Sequence, residues 1–225
     1  MIISHSWSNR KYQKTKIIDF NSCYNQIQLL NMEPVANWEE QYQQNNDRWD
    51  IGKVSTPLKE YFDQLINKNL KILIPGGGNG HEATYLHQQG FTQVYLLDVA
   101  PTPLEQFAER NPNFDKQHLL LENFFDHDSS YDLVIEQTFF CAINPAHRKA
   151  YARKASNLLN PKGKLVGLLW SVDLNTDHPP YGGNKSEYRT YFDEYFSYLY
   201  FDNARNSIKP RANRELFLLA QKQAI

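Results

Sequence analysis

Gly76, Gly78 and Gly80 stand at alternate positions of the segment 75–80 (PGGGNG), directly after the apolar run Ile72, Leu73, Ile74. A buried strand that runs into such a turn can bring bare backbone against a ligand. Glycine is needed there because the chain must take positive φ and leave room for the approach. The spacing is G-x-G-x-G, whereas the dinucleotide fingerprint G-x-G-x-x-G needs its last glycine at 81, where His81 stands. Such turns also serve plain strand-to-helix packing, so the glycines alone do not decide.

Asp98 follows Gly76 by 22 residues and closes the next apolar run. A carboxylate there can accept two hydrogen bonds from the vicinal hydroxyls of a ribose. The pair implies an adenosine-bearing ligand. The tight glycine spacing favours S-adenosylmethionine, whose amino-acid end needs no cradle for a pyrophosphate. Asn123 can pair with the exocyclic amine of an adenine, and Phe124 or Phe125 offers a stacking face. Ahead of the glycines, Trp38 and Trp49 flank a polar, helix-prone stretch. Core packing is one use for them; the other is an apolar lid whose indole faces attract a sulfonium cation. Later, residues 173–181 hold Asp173, Asp177, His178, Pro179, Pro180 and Tyr181. Pro-Pro stiffens a loop that could present Tyr181 to a methyl acceptor. A Pro-Pro-Tyr of nucleobase or glutamine methyltransferases would have to follow strand four, and this one follows strand five.

These groups must be positioned by alternating strands and helices. A helix is expected from Thr56, with Thr56 as cap, Pro57 in the first turn and Leu58, Tyr61, Phe62, Leu65 and Ile66 at helical spacing. Strands are expected at 70–75, 93–98, 118–123, 131–137 (continuing through 139–143) and 164–171, with two more at 198–203 and 215–221 forming a closing hairpin. Helices are expected at 80–89, near 101–108, and from the Asn144-Pro145 start to Leu159. This order gives an α/β fold: a seven-stranded, mostly parallel, doubly wound Rossmann-like sheet with helices on both faces. Ligands in such sheets sit at the carboxyl ends of strands where strand order reverses. That gathers Gly76, Gly78, Gly80, Asp98, Asn123 and residues 136–140 around one crevice.

Composition narrows the function. With 24 basic and 25 acidic residues and no basic run, a nucleic-acid partner is disfavoured. No apolar run reaches the roughly 18 residues of a membrane span. Cys23 and Cys141 are too few for a disulfide framework or a cysteine metal site, and the histidines share no ligand spacing. A soluble, cytoplasmic monomer without a metal is expected. Residues 1–31 are polar and aperiodic and read as a disordered extension or a misassigned start before Met32. Residues 32–225 read as one catalytic domain.

Four ordered motifs carry a resemblance: Trp38-Glu-Glu with Arg48-Trp49-Asp50-Ile51-Gly52, the 75–80 turn, the segment 131–145 (YDLVIEQTFFCAINP), and Pro179-Pro180-Tyr181. Together they make the chain similar to the thiopurine S-methyltransferase family, close to its plant thiol and halide methyltransferase branch, from Trp38 to about Gln221. The resemblance implies that Trp38, Trp49, Gly76, Asp98, Asn123, Phe124 and Gln137 bind S-adenosylmethionine. It also implies that Phe140 and Tyr181 border a small thiol or anion acceptor. At Gln137 the thiopurine enzymes carry Arg and the plant relatives Tyr. Gln keeps a hydrogen-bonding head without the charge or the phenol, so the acceptor cannot be inherited.

The reaction so implied is methyl transfer to sulfur, with Tyr181 orienting the acceptor or easing its deprotonation, and Asp173 or Asp177 assisting. Halide or thiocyanate methylation on the same scaffold is the alternative. A nicotinamide oxidoreductase and a catalytically silent cofactor-binding module are more distant rivals.

Overall fold

The computed structural model describes residues 37–224. The expectation for residues 1–31 lies outside the described residues. Helix α1 (Trp38–Gln43) and helix α2 (Thr56–Asp63) precede strand β1 (Ile72–Pro75), helix α3 (His81–Gln88) and strand β2 (Val94–Asp98). Helix α4 (Pro101–Arg110), strands β3 (Leu119–Leu121) and β4 (Tyr131–Gln137), helix α5 (Arg148–Asn157) and strand β5 (Leu159–Trp170) follow. Helix α6 (Lys185–Phe192) and strands β6 (Phe196–Asn203) and β7 (Glu215–Lys222) complete the described chain.

The seven strands lie in the order β3-β2-β1-β4-β5-β7-β6. Strands β1 to β5 pair in parallel, and β7 runs antiparallel to both β5 and β6. Order reverses between β1 and β4, which places the end of β4 beside the glycine turn. Alternation along the strands sends residues to opposite faces. Ile72 and Ile74 pack with Leu58, Phe62, Ala83, Leu86, Leu104 and Phe107 of helices α2, α3 and α4. Leu73 packs with Tyr151, Ala152, Tyr188 and Phe192 of α5 and α6 on the other face. Both faces are therefore buried, as a parallel sheet requires.

Several boundaries differ from expectation. Residues 139–143 do not extend β4. The strand ends at Gln137, Thr138 turns to φ 60°, and Phe140–Ala142 is a 3₁₀ turn. Buried Glu136 causes the break, its Oε1 accepting from the Phe139 amide at 2.9 Å and the Phe140 amide at 2.8 Å. Strand β3 is three residues long because Lys116–His118 forms a 3₁₀ turn and Asn123 Oδ1 accepts from the Phe125 amide at 2.9 Å. Helix α5 starts at Arg148, after a 3₁₀ turn at Pro145–His147 capped by Asn144. Helix α6, capped by Asn184 through the Glu187 amide, carried no expectation from sequence.

Candidate functional site

The glycine turn follows β1 with Gly76, Gly78 and Gly80 at φ 55°, 50° and 69°. Each serves a different neighbour. A Cβ on Gly76 would strike the Phe139 ring, one on Gly78 the Tyr42 hydroxyl, and one on Gly80 the side chains of Phe107 and Leu96. Gly80 thus lets α3 pack on the sheet, while Gly76 and Gly78 keep backbone bare along a crevice. That crevice is lined by Tyr42, Trp49, Asp50, the glycines 76–78, Gln137 and Thr138, among others.

Asp98 is buried at the end of β2. Its Oδ2 accepts from the Gly78 amide and its Oδ1 from the Ala100 amide, each at 2.9 Å. Burial pushes its carboxyl up to about 6 from 3.8, against the pull of those two backbone donors. The Val99 amide adds a third backbone donor, so of the about four lone-pair sites of an ionised carboxylate about one is left over.

Gln137 ends β4 facing the glycine turn. Among the described residues its Oε1 is buried without a hydrogen-bond partner. Such an acceptor costs about 1–3 kcal/mol unless a donor arrives. An ammonium-bearing ligand lying on the glycine turn would supply one. The crevice thus has a turn free of side chains at one end and the Gln137 side chain beside it. Asp98 is buried beneath that turn, bonded to the Gly78 amide, and is not itself among the crevice-lining residues.

Trp49 stands edge-on between two rings, 5.4 Å from Trp38 and 5.7 Å from Tyr42. Trp49 and Tyr42 line the crevice, and Trp38 backs them. Helix α1 is tied down by Glu39, whose carboxylate accepts from the amide and hydroxyl of Thr102 at the start of α4. Tyr42, which stands where the resembled family often carries Trp, lines the crevice although no role was expected for it. Asp50, Asn79 and His81 were passed over too.

The remaining expected residues lie further out. Phe124 is in the core against Phe139 and Tyr151, while Phe125 is partly exposed. Asn123 caps the turn after β3. Phe140 is 1% exposed among Tyr151, Tyr188 and Phe192 and is not among the crevice residues; its neighbour Phe139 is the ring against Gly76. Tyr181 is buried and is not among the crevice residues; its amide donates to the Cys141 carbonyl at 2.7 Å. It lines a neighbouring hollow with Arg148, Asp173 and Glu187. Arg148 is 1% exposed and grips this loop, donating to the carbonyls of Gly182 at 2.9 Å and Tyr181 at 3.2 Å and to Glu187 at 3.1 Å. Asp177 is exposed beside His178. Burial pushes the Cys141 thiol up to about 12, so it is held as a neutral packing group. Among the described residues no cluster of His, Cys, Asp and Glu could hold a metal ion, and no helix is long and apolar enough to cross a membrane.

Comparison with known proteins follows this geometry. The family model for thiopurine S-methyltransferase (TPMT) matches residues 33–217. "Probable thiol methyltransferase 2" of Arabidopsis thaliana is 28% identical over 165 residues, covering 71% of this chain and 73% of that protein. "Thiocyanate methyltransferase 1" of Brassica oleracea is 30% identical over 151 residues, 64% of this chain and 66% of that protein. The match thus spans just under two thirds of the Brassica relative's length. Among solved structures, a Burkholderia thailandensis 1,6-didemethyltoxoflavin-N1-methyltransferase with bound S-adenosylhomocysteine has TM-score 0.69 at 14% identity, covering 83% of this chain and 86% of its own. Magnesium protoporphyrin IX methyltransferase of Synechocystis, with S-adenosylmethionine bound, has TM-score 0.62 at 14% identity, covering 86% and 99%. At that identity the likeness shows the Rossmann-like fold alone.

Proposed function

The chain belongs to the thiopurine S-methyltransferase family, and from that premise we propose that it transfers a methyl group from S-adenosylmethionine to a small thiol or related sulfur nucleophile. It is an S-adenosylmethionine-dependent methyltransferase. The observation that carries the reading is the family match across the fold that builds the crevice, from ahead of Trp38 into β7.

The cofactor supplies an electrophilic sulfonium methyl when bound. The rest is the work of this chain. Asp98 would hold the ribose, the 76–78 backbone would lie along the amino-acid end, and Gln137 would accept from its ammonium. Trp49 and Tyr42 would wall off water. Most acceleration in such a displacement comes from holding nucleophile, methyl carbon and leaving sulfur collinear in a dry site. A thiolate arrives as an anion, so no strong general base is needed, and Cys141 is too poorly ionised to compete as a nucleophile. Tyr181 is proposed as the catalytic residue that orients the acceptor. Its anchoring to Cys141, three residues past the crevice residue Thr138, supports this role. A single catalytic unit over 32–225, acting as a cytoplasmic monomer, completes the reading; the low cysteine content supports the compartment.

The test is a panel of acceptors at fixed S-adenosylmethionine: small thiols, hydrosulfide, thiocyanate, iodide and thiopurines. Thiols and hydrosulfide should give the highest kcat/KM. Faster turnover of iodide or thiocyanate than of every thiol would move the assignment to anion methylation.

A further inference from the structure

His81 occupies the position where a dinucleotide fingerprint would need glycine, and it is the first residue of α3. The positive end of a helix dipole disfavours a cationic imidazole. This imidazole is nevertheless paired. Its Nε2 lies 2.7 Å and 2.9 Å from the two carboxylate oxygens of Asp50, on the segment that follows α1.

Asp50 is the hub of that segment. Its carboxylate also accepts from the Gly52 amide and from Asn79 Nδ2, and Asn79 donates at 3.0 Å to Asp47. Residues 47–52 are therefore fastened to the glycine turn at Asn79 and His81. From the other side, Arg211 donates to the Trp49 carbonyl at 2.7 Å. Trp49 is held between these two anchors, with Tyr42 against its ring. Of these, Tyr42, Trp49, Asp50, Asn79 and His81 line the crevice.

We infer that Asp50 and His81 are positioning residues for cofactor binding: their ion pair holds the strap 47–52, and so Trp49 and Tyr42, against the cofactor lying on the glycine turn. The inference rests on the proposed occupant of that crevice and adds a role for two residues that touch the wall rather than the reacting atoms. Support comes from the charge states. Hydrogen bonding to His81 leads the stabilising contributions that hold the Asp50 carboxyl down near 2 against partial burial, and the same bond holds His81 above its ordinary 6.5. The other charged groups that His81 meets are Glu82, which reinforces its cation, and Arg110, which opposes it. Asp47 reaches Asp50 through Asn79, and Lys53 lines the same crevice.

The sign follows from these shifts. His81 gains its partner in the closed strap, so the pair is at full strength below the ordinary histidine value and weakens as pH rises through the raised one. Cofactor affinity should fall over that range.

Calorimetry with S-adenosylhomocysteine from pH 6 to 9 tests this on the full chain, for wild type, Asp50→Asn, His81→Gln and the double variant. At pH 6.5 each single substitution should weaken binding about tenfold, and the double should bind no worse than the weaker single, because one interaction is removed either way. Turnover at saturating cofactor should change less than threefold. Wild-type affinity should decline toward pH 9 more steeply than that of His81→Gln; the ligand's own amine titrates equally in both. Additive losses, or pH profiles that superimpose, would overturn the inference. Should His81→Gln fail to fold, His81→Asn takes its place in the same comparison, and superimposable profiles again refute the role. No binding by wild type at any pH would instead remove the cofactor reading itself.

Discussion

The backbone amide of Gly78 donates to the carboxylate of Asp98 at 2.9 Å, tying the turn after β1 to the end of β2. One bond thus sets the relative position of the two groups proposed to hold opposite ends of the cofactor. Under the proposed function Asp98 would then do two jobs, ordering the turn and accepting from the ligand.

Replacing Asp98 separates those jobs. Asp98→Ala should weaken S-adenosylhomocysteine binding by roughly 1.5–3 kcal/mol, about 10- to 150-fold, the usual worth of hydrogen bonds to a charged group. Asp98→Asn keeps one acceptor oxygen and should lose less. Only the ionised acid accepts fully, so wild-type affinity should drop as pH falls through about 6. Calorimetry across pH 5 to 7.5 checks all three.

Gly78→Ala would force a side chain to φ 50° and drive its methyl into the Tyr42 hydroxyl. The positive φ alone should cost on the order of 1 kcal/mol. The methyl would also stand on the crevice floor. Cofactor binding should be lost while the far-ultraviolet spectrum stays native. A variant that binds normally would mean that the ligand does not lie along this turn.

Glu136 is expected to act on stability rather than on binding. Burial pushes its carboxyl up to about 7 from 4.5, although the Phe139 and Phe140 amides and the Tyr151 hydroxyl all bond to it. A folded-state value above the unfolded one means that the native protein binds more protons between them. Stability should therefore fall as pH rises from 4.5 to 7, by at most about 3 kcal/mol. Glu136→Gln should flatten that slope in urea titrations, because the amide can still accept from the turn and donate to Tyr151.

Tyr181→Phe should lower kcat several-fold and leave S-adenosylhomocysteine affinity unchanged, since the backbone bond to Cys141 survives. Arg148→Met attacks the same loop from beneath. It removes three hydrogen bonds and leaves the half-buried Glu187 carboxylate without its cation, with the Tyr191 hydroxyl still donating to it, so a loss of about 2 kcal/mol in urea unfolding is expected. Equal turnover in wild type and Tyr181→Phe would take Tyr181 out of the mechanism.

Local signals carried much of the design. The glycine turn, the acid closing β2 and the apolar strands were legible because each depends on neighbours a few residues away. Residues 139–143 misled because Phe139, Phe140 and Ile143 favour a strand, and only the inward carboxylate of Glu136 overrides them. Asp50 with His81, and Arg148 with Tyr181, were not legible as pairs. Their partners stand 31 and 33 positions apart, and a charged residue in a helix ordinarily faces water. Tyr42 could have been found from the Trp that the resembled family often carries at its position; its contact with Gly78 could not.

The most direct test is to mix the purified protein with methyl-labelled S-adenosylmethionine and a small thiol and follow both products by mass spectrometry. The account predicts labelled methyl thioether and S-adenosylhomocysteine in equal amounts, with neither formed without protein. Tight binding of S-adenosylhomocysteine with no labelled product from any sulfur acceptor would contradict it.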